Sequence, residues 1–239
     1  SLHDALPILQ TGLVISTYGR NVLVEAADGK RTLCHPRRKK NEALVGDAVL
    51  WQPSGDEGVI EKITERRNLL RRQDEIRTKA FAANLDQVLV WLGVEPEFSA
   101  EQLTRILLAT EEQNIPVTIC LNKDDLPGFT ASWQRLQIFA DMGYPLLHTS
   151  LQADATAPPA LRDLLAGKRS FLIGPSGSGK SSFMHGALSP AVREKISKAK
   201  IKVTKAWKTV SGFENLQTVH EVDQSPIGKT SRSRSEEHT

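Results

Sequence analysis

The stretch FLIGPSGSGKSS, residues 171–182, decides the fold class, because an apolar strand runs directly into a glycine-rich loop. It fits the pattern G-x-x-x-x-G-K-[ST] in full. Glycines allow successive backbone N–H groups to turn toward a polyphosphate, which then lies at the N terminus of a helix. In this pattern Lys180 would neutralise the β and γ phosphates, and the Ser181 hydroxyl would bind Mg²⁺. The predicted phosphate-binding residues are Gly174, Pro175, Ser176, Gly177, Ser178, Gly179, Lys180, Ser181 and Ser182.

A second motif, CLNKDDL at residues 120–126, follows the apolar strand PVTICL and predicts recognition of a guanine base. The Asp125 carboxylate would accept both hydrogens of the guanine N1/N2 edge in a charge-assisted pair. Adenine lacks that pair of donors and would leave the carboxylate unpaired, which can discriminate between the bases by roughly 10⁴. Asn122 would support the base and the loop, and the stem of Lys123 would cover the ring.

A third segment, HTSLQ at residues 148–152, could offer a backbone N–H group near Ser150 and Leu151 to the guanine O6 atom. Together the three segments predict a site for GTP or GDP with Mg²⁺. They occur with the base reader first and the phosphate loop last. That order is expected of a circularly permuted GTPase domain.

The sequence around these motifs predicts two folded units. Residues 9–72 contain about five short apolar or β-branched runs separated by turn signals such as ADGKR, which suits an OB-type β-barrel. Residues 73–182 alternate strands with amphipathic helices, which predicts a parallel sheet covered on both faces. Ser99 is the expected N-cap of the first helix. The expected fold class is an N-terminal OB-type barrel followed by an incomplete, circularly permuted P-loop GTPase α/β domain.

Basic residues lie between two predicted barrel strands and beyond the last one, and could form a rim on the barrel that binds RNA phosphates. Solvated loop charges are the alternative interpretation, and the sequence leaves both open. A non-enzymatic RNA-binding barrel with a structural nucleotide is a related possibility. The candidate RNA contacts are Arg37, Arg38, Lys39, Lys40, Arg66 and Arg67, with Arg71 and Arg72 beyond them.

The composition excludes several classes of protein. The chain has 239 residues, of which 39% are apolar and 25% charged, and its net charge of +3 is that of an ordinary globular protein. No apolar run approaches the ~20 residues that cross a bilayer, so no membrane partner is expected. Cys34 and Cys120 are too few for a disulfide framework or a four-ligand zinc site. They are predicted to be buried packing residues in a reducing cytoplasm.

The segments AANLDQVLV, LNKDDL and GPSGSGKSS, within residues 9–182, resemble the RsgA family of small-ribosomal-subunit-dependent GTPases. In that resemblance Asn122, Lys123 and Asp125 fall on the base-specificity motif, and Leu151 stands where the family has alanine. The resemblance implies GTP-driven checking of late small-subunit assembly, with the barrel docking on ribosomal RNA. It also implies a C-terminal zinc segment, to which no cluster of Cys and His in this sequence corresponds. A cytoplasmic monomer is expected.

The sequence departs from this family after the phosphate loop. From Phe183 onward it contains neither the switch threonine nor an Asp-x-Pro-Gly motif. The string DLPG at residues 125–128 precedes the loop and is interpreted as coincidence. No catalytic residue is therefore assigned, and impaired turnover is expected, because phosphoryl transfer depends on positioning and charge stabilisation.

Residues 183–233, especially VDQSPIGKTSRS, instead resemble the excision-repair ATPase UvrA just after one of its phosphate loops. We therefore expect a join between two genes at the shared string SGSGKSS. An ATP-binding cassette fragment of DNA repair is the alternative function, although it leaves NKDD unexplained. Residues 1–8 (SLHDALPI) and 234–239 (RSEEHT) resemble translated sequencing adapters and are expected to be non-native.

Overall fold

The structure, a computed structural model, describes residues 8–37, 42–73, 78–150 and 159–184. Its first five strands close into a barrel in the order β1-β2-β3-β5-β4, and β4 pairs back onto β1. The pairing of β3 with β5 is parallel, and the other pairings are antiparallel. This confirms the predicted OB-type barrel. The strands are β1 (Gln10–Tyr18), β2 (Asn21–Ala26), β3 (Arg31–Pro36), β4 (Ala48–Ser54) and β5 (Glu57–Ile63).

The barrel interior is built around Trp51, which is only 3% exposed. Alternating β-branched residues of neighbouring strands surround it, as the period-two pattern of the sequence predicts. The indole fits because two strand positions that face it carry glycine. A Cβ atom on Gly58 would lie 2.6 Å from the Trp51 ring, and one on Gly12 would lie 2.9 Å from its Nε1 atom.

A hairpin that the sequence analysis did not identify separates the barrel from the rest of the chain. Its strands β6 (Leu69–Gln73) and β7 (Thr78–Ala83) pair only with each other. The predicted barrel segment ran to residue 72, but the last barrel strand ends at Ile63. The reason lies in the packing, because Leu70 and Ala82 join the core of the following domain rather than the barrel core.

The second domain contains a four-stranded parallel sheet in the order β10-β9-β8-β11. Helices join these strands, and the predicted α/β architecture is confirmed. The Ser99 hydroxyl accepts a hydrogen bond from Gln102 N at 3.2 Å and so caps the first helix as expected. The elements are β8 (Gln87–Gly93), α1 (Ala100–Glu111), β9 (Val117–Asn122), α2 (Phe129–Asp141), β10 (Leu146–Thr149), α3 (Pro159–Leu165) and β11 (Ser170–Ile173).

The central strand β8 is buried along its whole length. One face, with Val88, Val90 and Leu92, packs in the same core as α1 and α2. The other face, with Leu89 and Trp91, packs in a core that includes residues of α3. A parallel strand covered on both faces is expected to be continuously apolar, as the sequence VLVWL is.

Phe183 also belongs to the second of these cores and is 2% exposed. The sequence predicts a foreign segment that begins at Phe183. Its side chain nevertheless packs against β8, so the folded domain continues at least to Phe183. The remainder of the UvrA-like segment, from residue 185 onward, lies outside the described residues, as do the adapter-like ends except Ile8.

Both cysteines are buried, as the sequence predicted. Burial raises the pKa of the Cys34 thiol to about 11, with Glu57 adding to the effect. Burial likewise raises the pKa of the Cys120 thiol. Both thiols therefore stay protonated and serve as packing groups. None of the helices in the described part of the chain has the length and apolar character needed to cross a bilayer.

Candidate nucleotide-binding site

The three predicted motifs meet at one edge of the parallel sheet. Asn122 is the last residue of β9, Ser150 directly follows β10, and Gly174 directly follows β11. Because the four strands run parallel, these positions share the carboxyl edge of the sheet. Open α/β sheets bind their ligands outside that edge.

The turn at residues 122–125, which we call the base-reading turn, contacts the phosphate loop of residues 174–182 directly. Asn122 is 3% exposed, and its Nδ2 atom donates a hydrogen bond to Ser178 O at 3.0 Å. Lys123 adopts a φ of 68°, and its ammonium group donates to Gly177 O at 2.9 Å and to Glu95 O. Two motifs more than fifty residues apart in the sequence thus form one continuous surface.

The end of β10 holds the base-reading turn from the other side. The Ser150 hydroxyl donates to Asp125 Oδ1 at 2.5 Å, and Asp124 N donates to Thr149 O at 3.2 Å. The Asp124 carboxylate also lies 2.7 Å from His148 Nδ1. The sequence analysis did not single out Asp124 or His148, because the pairing depends on the register of β10 against β9. Leu151, the other candidate here, lies outside the described residues.

Two glycines of the phosphate loop are required by close approach of the backbone. A Cβ atom on Gly174 would lie 1.9 Å from Trp91 O, so no side chain fits where the loop leaves β11. Gly179 has a φ of 92°, and a Cβ atom there would lie 2.4 Å from Asn122 Nδ2. The sequence pattern thus reflects contacts of the loop with β8 and with the base-reading turn.

The Lys180 ammonium is folded back into the phosphate loop. Its Nζ atom donates to Pro175 O at 2.5 Å, and the Ser178 hydroxyl donates to the same carbonyl at 2.9 Å. Partial burial lowers the pKa of Lys180, because desolvation disfavours the charged form. Helical backbone begins at Lys180, and Ser181 and Ser182 are exposed on this first turn. The loop therefore presents a cation and two hydroxyl groups at a helix start.

Three of the candidate RNA-binding arginines have ion-pair partners within the chain. Arg37 pairs with Glu61 at 2.5 Å and is 58% exposed. Arg66 binds both oxygens of the buried Asp47, at 2.7 and 2.8 Å. Arg67 pairs with Asp86 at 2.6 Å. Arg38, Lys39 and Lys40 lie outside the described residues, and Arg71 pairs with Glu112 at 2.8 Å.

The carboxylate, thiol and imidazole groups give no sign of a metal cluster in the part of the chain that the structure describes. No three side chains of His, Cys, Asp or Glu come together there in an arrangement that could hold a metal ion. These residues therefore do not fit a structural zinc ion. The predicted Mg²⁺ ligand is of a different kind, because Ser181 would bind the ion together with nucleotide phosphates.

Comparison with protein families gives a match to the model described as RsgA GTPase over residues 63–218. This match continues past Ser182 into the segment that the sequence likened to UvrA. That likeness and the adapter-like ends remain predictions. The match covers well over half of the chain.

Two curated relatives carry the name Small ribosomal subunit biogenesis GTPase RsgA. The protein from Variovorax paradoxus is 52% identical over 180 residues, which are 74% of this chain and 57% of the relative. The protein from Ralstonia pickettii is 42% identical over 186 residues, which are 77% of this chain and 59% of the relative. The chain thus spans less than two thirds of the length of either relative.

A solved structure supports the same arrangement of domains. The crystal structure of YjeQ from Thermotoga maritima superposes with a TM-score of 0.62 at 29% sequence identity. The alignment covers 76% of this chain and 66% of that one. The similarity therefore includes most of the barrel and sheet described above.

Proposed function

The chain belongs to the RsgA GTPase family, and we propose that it binds guanine nucleotides and hydrolyses GTP in the assembly of the small ribosomal subunit. The hydrogen bond from Asn122 to Ser178 carries this proposal. It brings the base-reading turn within one hydrogen bond of the phosphate loop. A single nucleotide can therefore touch both motifs, with its base at Asp125 and its phosphates at Lys180.

The base would be selected at Asp125, where the hydrogen-bond donors of the base would replace the Ser150 hydroxyl. In the structure the Ser150 hydroxyl donates to this carboxylate at 2.5 Å. A guanine N1/N2 edge would supply two donors to the same group, and adenine would supply a mismatched edge. A carboxylate that pairs with a ligand rejects a ligand without the matching donors, because the carboxylate would lose its partner.

The phosphates would be bound by a similar exchange at Lys180. Its ammonium now donates to the neutral carbonyl of Pro175. An anionic phosphate is the stronger acceptor, since hydrogen bonds between charged groups are about twice as strong as neutral ones. When bound, Mg²⁺ would add positive charge at the phosphate oxygens, with the exposed Ser181 hydroxyl as a ligand.

Hydrolysis by this chain is proposed to be slow. Residues from Phe183 onward supply neither a switch threonine nor an Asp-x-Pro-Gly motif. Phosphoryl transfer needs groups that position the attacking water and stabilise charge on the phosphate. The phosphate loop and the base reader supply binding, and no residue in the described ranges is assigned to water activation. Zinc takes no part in this proposal.

The small ribosomal subunit is the proposed partner, and the barrel is the proposed RNA-binding part. Arg37 is exposed on the barrel, and the basic residues 38–40 follow it directly in the sequence. Phosphate contacts release counterions, so binding of ribosomal RNA should weaken steeply as the salt concentration rises. A binding constant that is unaffected by salt would contradict this part of the proposal.

The experiment for nucleotide binding is competition between GDP and ADP against a fluorescent GDP analogue. We expect GDP to compete at least about 100-fold better than ADP, because only guanine satisfies Asp125. In the variant Asp125→Asn this preference should disappear. The matched control is Asp141→Asn, at an exposed aspartate at the end of α2, which should leave both affinities unchanged.

A change of base preference in the variant Asp125→Asn would make the test of guanine recognition stricter. Xanthine carries an oxygen where guanine carries the N2 amino group, so an asparagine amide can donate where the aspartate accepted. Asp125→Asn should therefore bind xanthosine diphosphate better than the parent chain does. Equal competition by ADP and GDP in the parent would overturn the guanine proposal and favour the ATP-binding alternative.

A further inference from the structure

Trp91 lies beneath the phosphate loop, although it belongs to none of the nucleotide-binding motifs. It lies in the middle of β8 and is fully buried. Its indole Nε1 atom is buried and has no hydrogen-bond partner among the described residues. A buried polar group without a partner costs about 1–3 kcal/mol, so such a group in a functional domain needs a physical reason.

The residue approaches the phosphate loop at two glycines and stacks on the residue that follows the loop. At the start of the loop, Trp91 O lies 1.9 Å from the position that a Gly174 Cβ atom would occupy. In the middle, the indole Nε1 atom lies 3.8 Å from the corresponding point at Gly179. At the end, the indole stacks on Phe183 with ring centroids 4.4 Å apart and 18° between the planes.

The stack with Phe183 fixes the turn that carries Lys180. Phe183 N donates to Gly179 O at 2.9 Å, which closes the first helical turn after the loop. The same ring is held from below by Trp91. Lys180 and Ser181 lie within this turn, so the position of the indole determines where the ammonium and the hydroxyl point.

A second buried atom without a partner in the described residues belongs to Asn122, which also approaches Gly179. The Oδ1 atom of Asn122 is buried and unpaired within the described part of the chain, while its Nδ2 atom donates to Ser178 O. The indole N–H is a donor and the amide oxygen is an acceptor. Their residues both approach the same glycine, at 2.4 Å for Asn122 Nδ2 and 3.8 Å for Trp91 Nε1 from its Cβ position. The two unpaired atoms are therefore chemically complementary.

We propose that Trp91 is a positioning residue for the phosphate loop, which holds the Lys180 turn by stacking on Phe183 and pairs its indole N–H with the Asn122 oxygen when the β phosphate is bound. The pairing is direct or passes through one buried water. The inference rests on the proposed guanine-nucleotide function. It assigns to β8 the role of linking the phosphate loop to the base-reading turn.

The test compares the affinities of GMP and GDP, because the two ligands differ only in the β phosphate. Trp91→Leu removes the stack and the N–H, and we expect it to weaken GDP binding about tenfold, the upper end of the scale of one neutral hydrogen bond. GMP binding should change by less than about twofold, because the base reader is intact. Trp91→Phe keeps an aromatic ring but lacks the N–H, and should give an intermediate loss.

The matched control is Trp51 in the barrel, which is also buried and whose indole N–H also has no partner among the residues that the structure describes. Trp51→Leu should lower the stability of the chain and leave the ratio of the GMP and GDP affinities unchanged. Tryptophan fluorescence gives an independent readout. We expect the change in emission caused by GDP to be retained in Trp51→Phe and to be smaller in Trp91→Phe, where Trp133 beside His148 still reports on the base-reading turn.

The outcomes separate the two proposals. If the parent chain does not prefer GDP to ADP, the proposed function fails and this inference fails with it. If the parent binds GDP but Trp91→Leu weakens GMP and GDP equally, or behaves as Trp51→Leu does, Trp91 is only a packing residue. Should Trp91→Leu fail to fold, Trp91→Phe and Phe183→Leu decide, and an unchanged GMP to GDP ratio in both overturns the inference.

Discussion

The two edges of the parallel sheet differ in how completely their polar groups are hydrogen-bonded within the chain. At the amino edge, where the barrel meets the sheet, Asp86 accepts from Arg67 at 2.6 Å and from Arg169 N at 2.7 Å. Gly46 O accepts from both Asn84 and Arg169. Donors and acceptors are matched within the chain at this edge. We call this edge the junction.

At the carboxyl edge, three polar groups of the proposed nucleotide site are unpaired in the described ranges or have only a neutral partner, although others there are hydrogen-bonded. The Asn122 oxygen and the Trp91 indole N–H have no partners in the described ranges, and the Lys180 ammonium is held by a neutral carbonyl. A matched polar group stabilises a fold, whereas an unmatched one costs stability and remains available to a ligand. The difference predicts that substitutions at the junction change stability and that those at the carboxyl edge change binding.

The largest expected effect is that of Asp47→Ala at the junction. Asp47 is fully buried, binds Arg66 through both oxygens and accepts from Leu44 N at 2.8 Å. Arg66 is 27% exposed, so breaking this pair should cost about 2–3 kcal/mol, slightly less than a fully buried pair. The free energy of unfolding, measured by urea denaturation, should fall by this amount, and the affinity for GDP should not change.

The control for this substitution is Asp56→Ala. Asp56 lies exposed in the turn between β4 and β5, and its removal should change stability by less than about 0.5 kcal/mol. The distinction between the two edges would fail if Asp47→Ala reduced the free energy of GDP binding by more than it reduced the free energy of unfolding. In that case the junction would belong to the binding site.

Lys180→Met should give the opposite pattern. Loss of a charge-assisted contact with phosphate is worth about 2 kcal/mol, so GDP should bind about 30-fold more weakly. The fold should be as stable as the parent or slightly more stable. The reason is that partial burial desolvates the Lys180 ammonium and lowers its pKa, so the charged form is disfavoured in the folded chain.

The pH dependence of folding stability tests the cost of burying the charged Lys180 ammonium. Because the folded-state pKa of Lys180 lies below the ordinary lysine value of 10.5, the unfolded chain binds more protons in the window between the two values. The penalty is present at neutral pH and is relieved as the pH rises through that window, so ligand-free stability gains there. Lys180→Met should lack this gain, whereas Lys168→Met, at an exposed lysine after α3, should retain it.

Much of the fold could be predicted from the sequence, because local patterns determine it. Alternating β-branched residues gave the five barrel strands, and the strand–helix alternation gave the parallel sheet. The hairpin of β6 and β7 was missed. Its strands are short and basic, and their assignment depends on Leu70 and Ala82 packing against a core formed by distant residues. No local pattern carries that information.

The site was predictable to the level of its motifs and no further. Asn122, Asp125 and Lys180 were predicted as nucleotide-binding residues because their residue types and spacing follow from the chemistry of the ligand, and that assignment stays a prediction. Trp91 was read only as part of a buried strand. Its position under the loop follows from the pairing of β11 with β8, in which Ile173 lies opposite Val90 and the loop begins above Trp91. Strand order is a tertiary property that the sequence motifs do not contain.

The smallest expected effect is that of Arg169→Ala. This substitution also tests most directly whether the two edges of the sheet are independent. Arg169 immediately precedes β11, and its guanidinium donates to Gly46 O at 3.2 Å and to Asn84 O at 3.0 Å. Arg169→Ala should cost about 1 kcal/mol of stability, with the exposed helix residue Arg105→Ala as a control that costs less than about 0.5 kcal/mol. β11 is only four residues long and leads straight to Gly174, so it is a short covalent path from the junction to the phosphate loop.

If the edges are independent, GDP affinity in Arg169→Ala should remain within about twofold of the parent, because substitutions at distant sites without shared partners are additive. A loss of affinity several times larger would mean that the junction sets the position of the phosphate loop through β11. The matched polar groups of the junction would then serve binding as well as stability. A double-mutant cycle of Arg169→Ala with Lys180→Met measures that coupling, and we expect it to be zero within error.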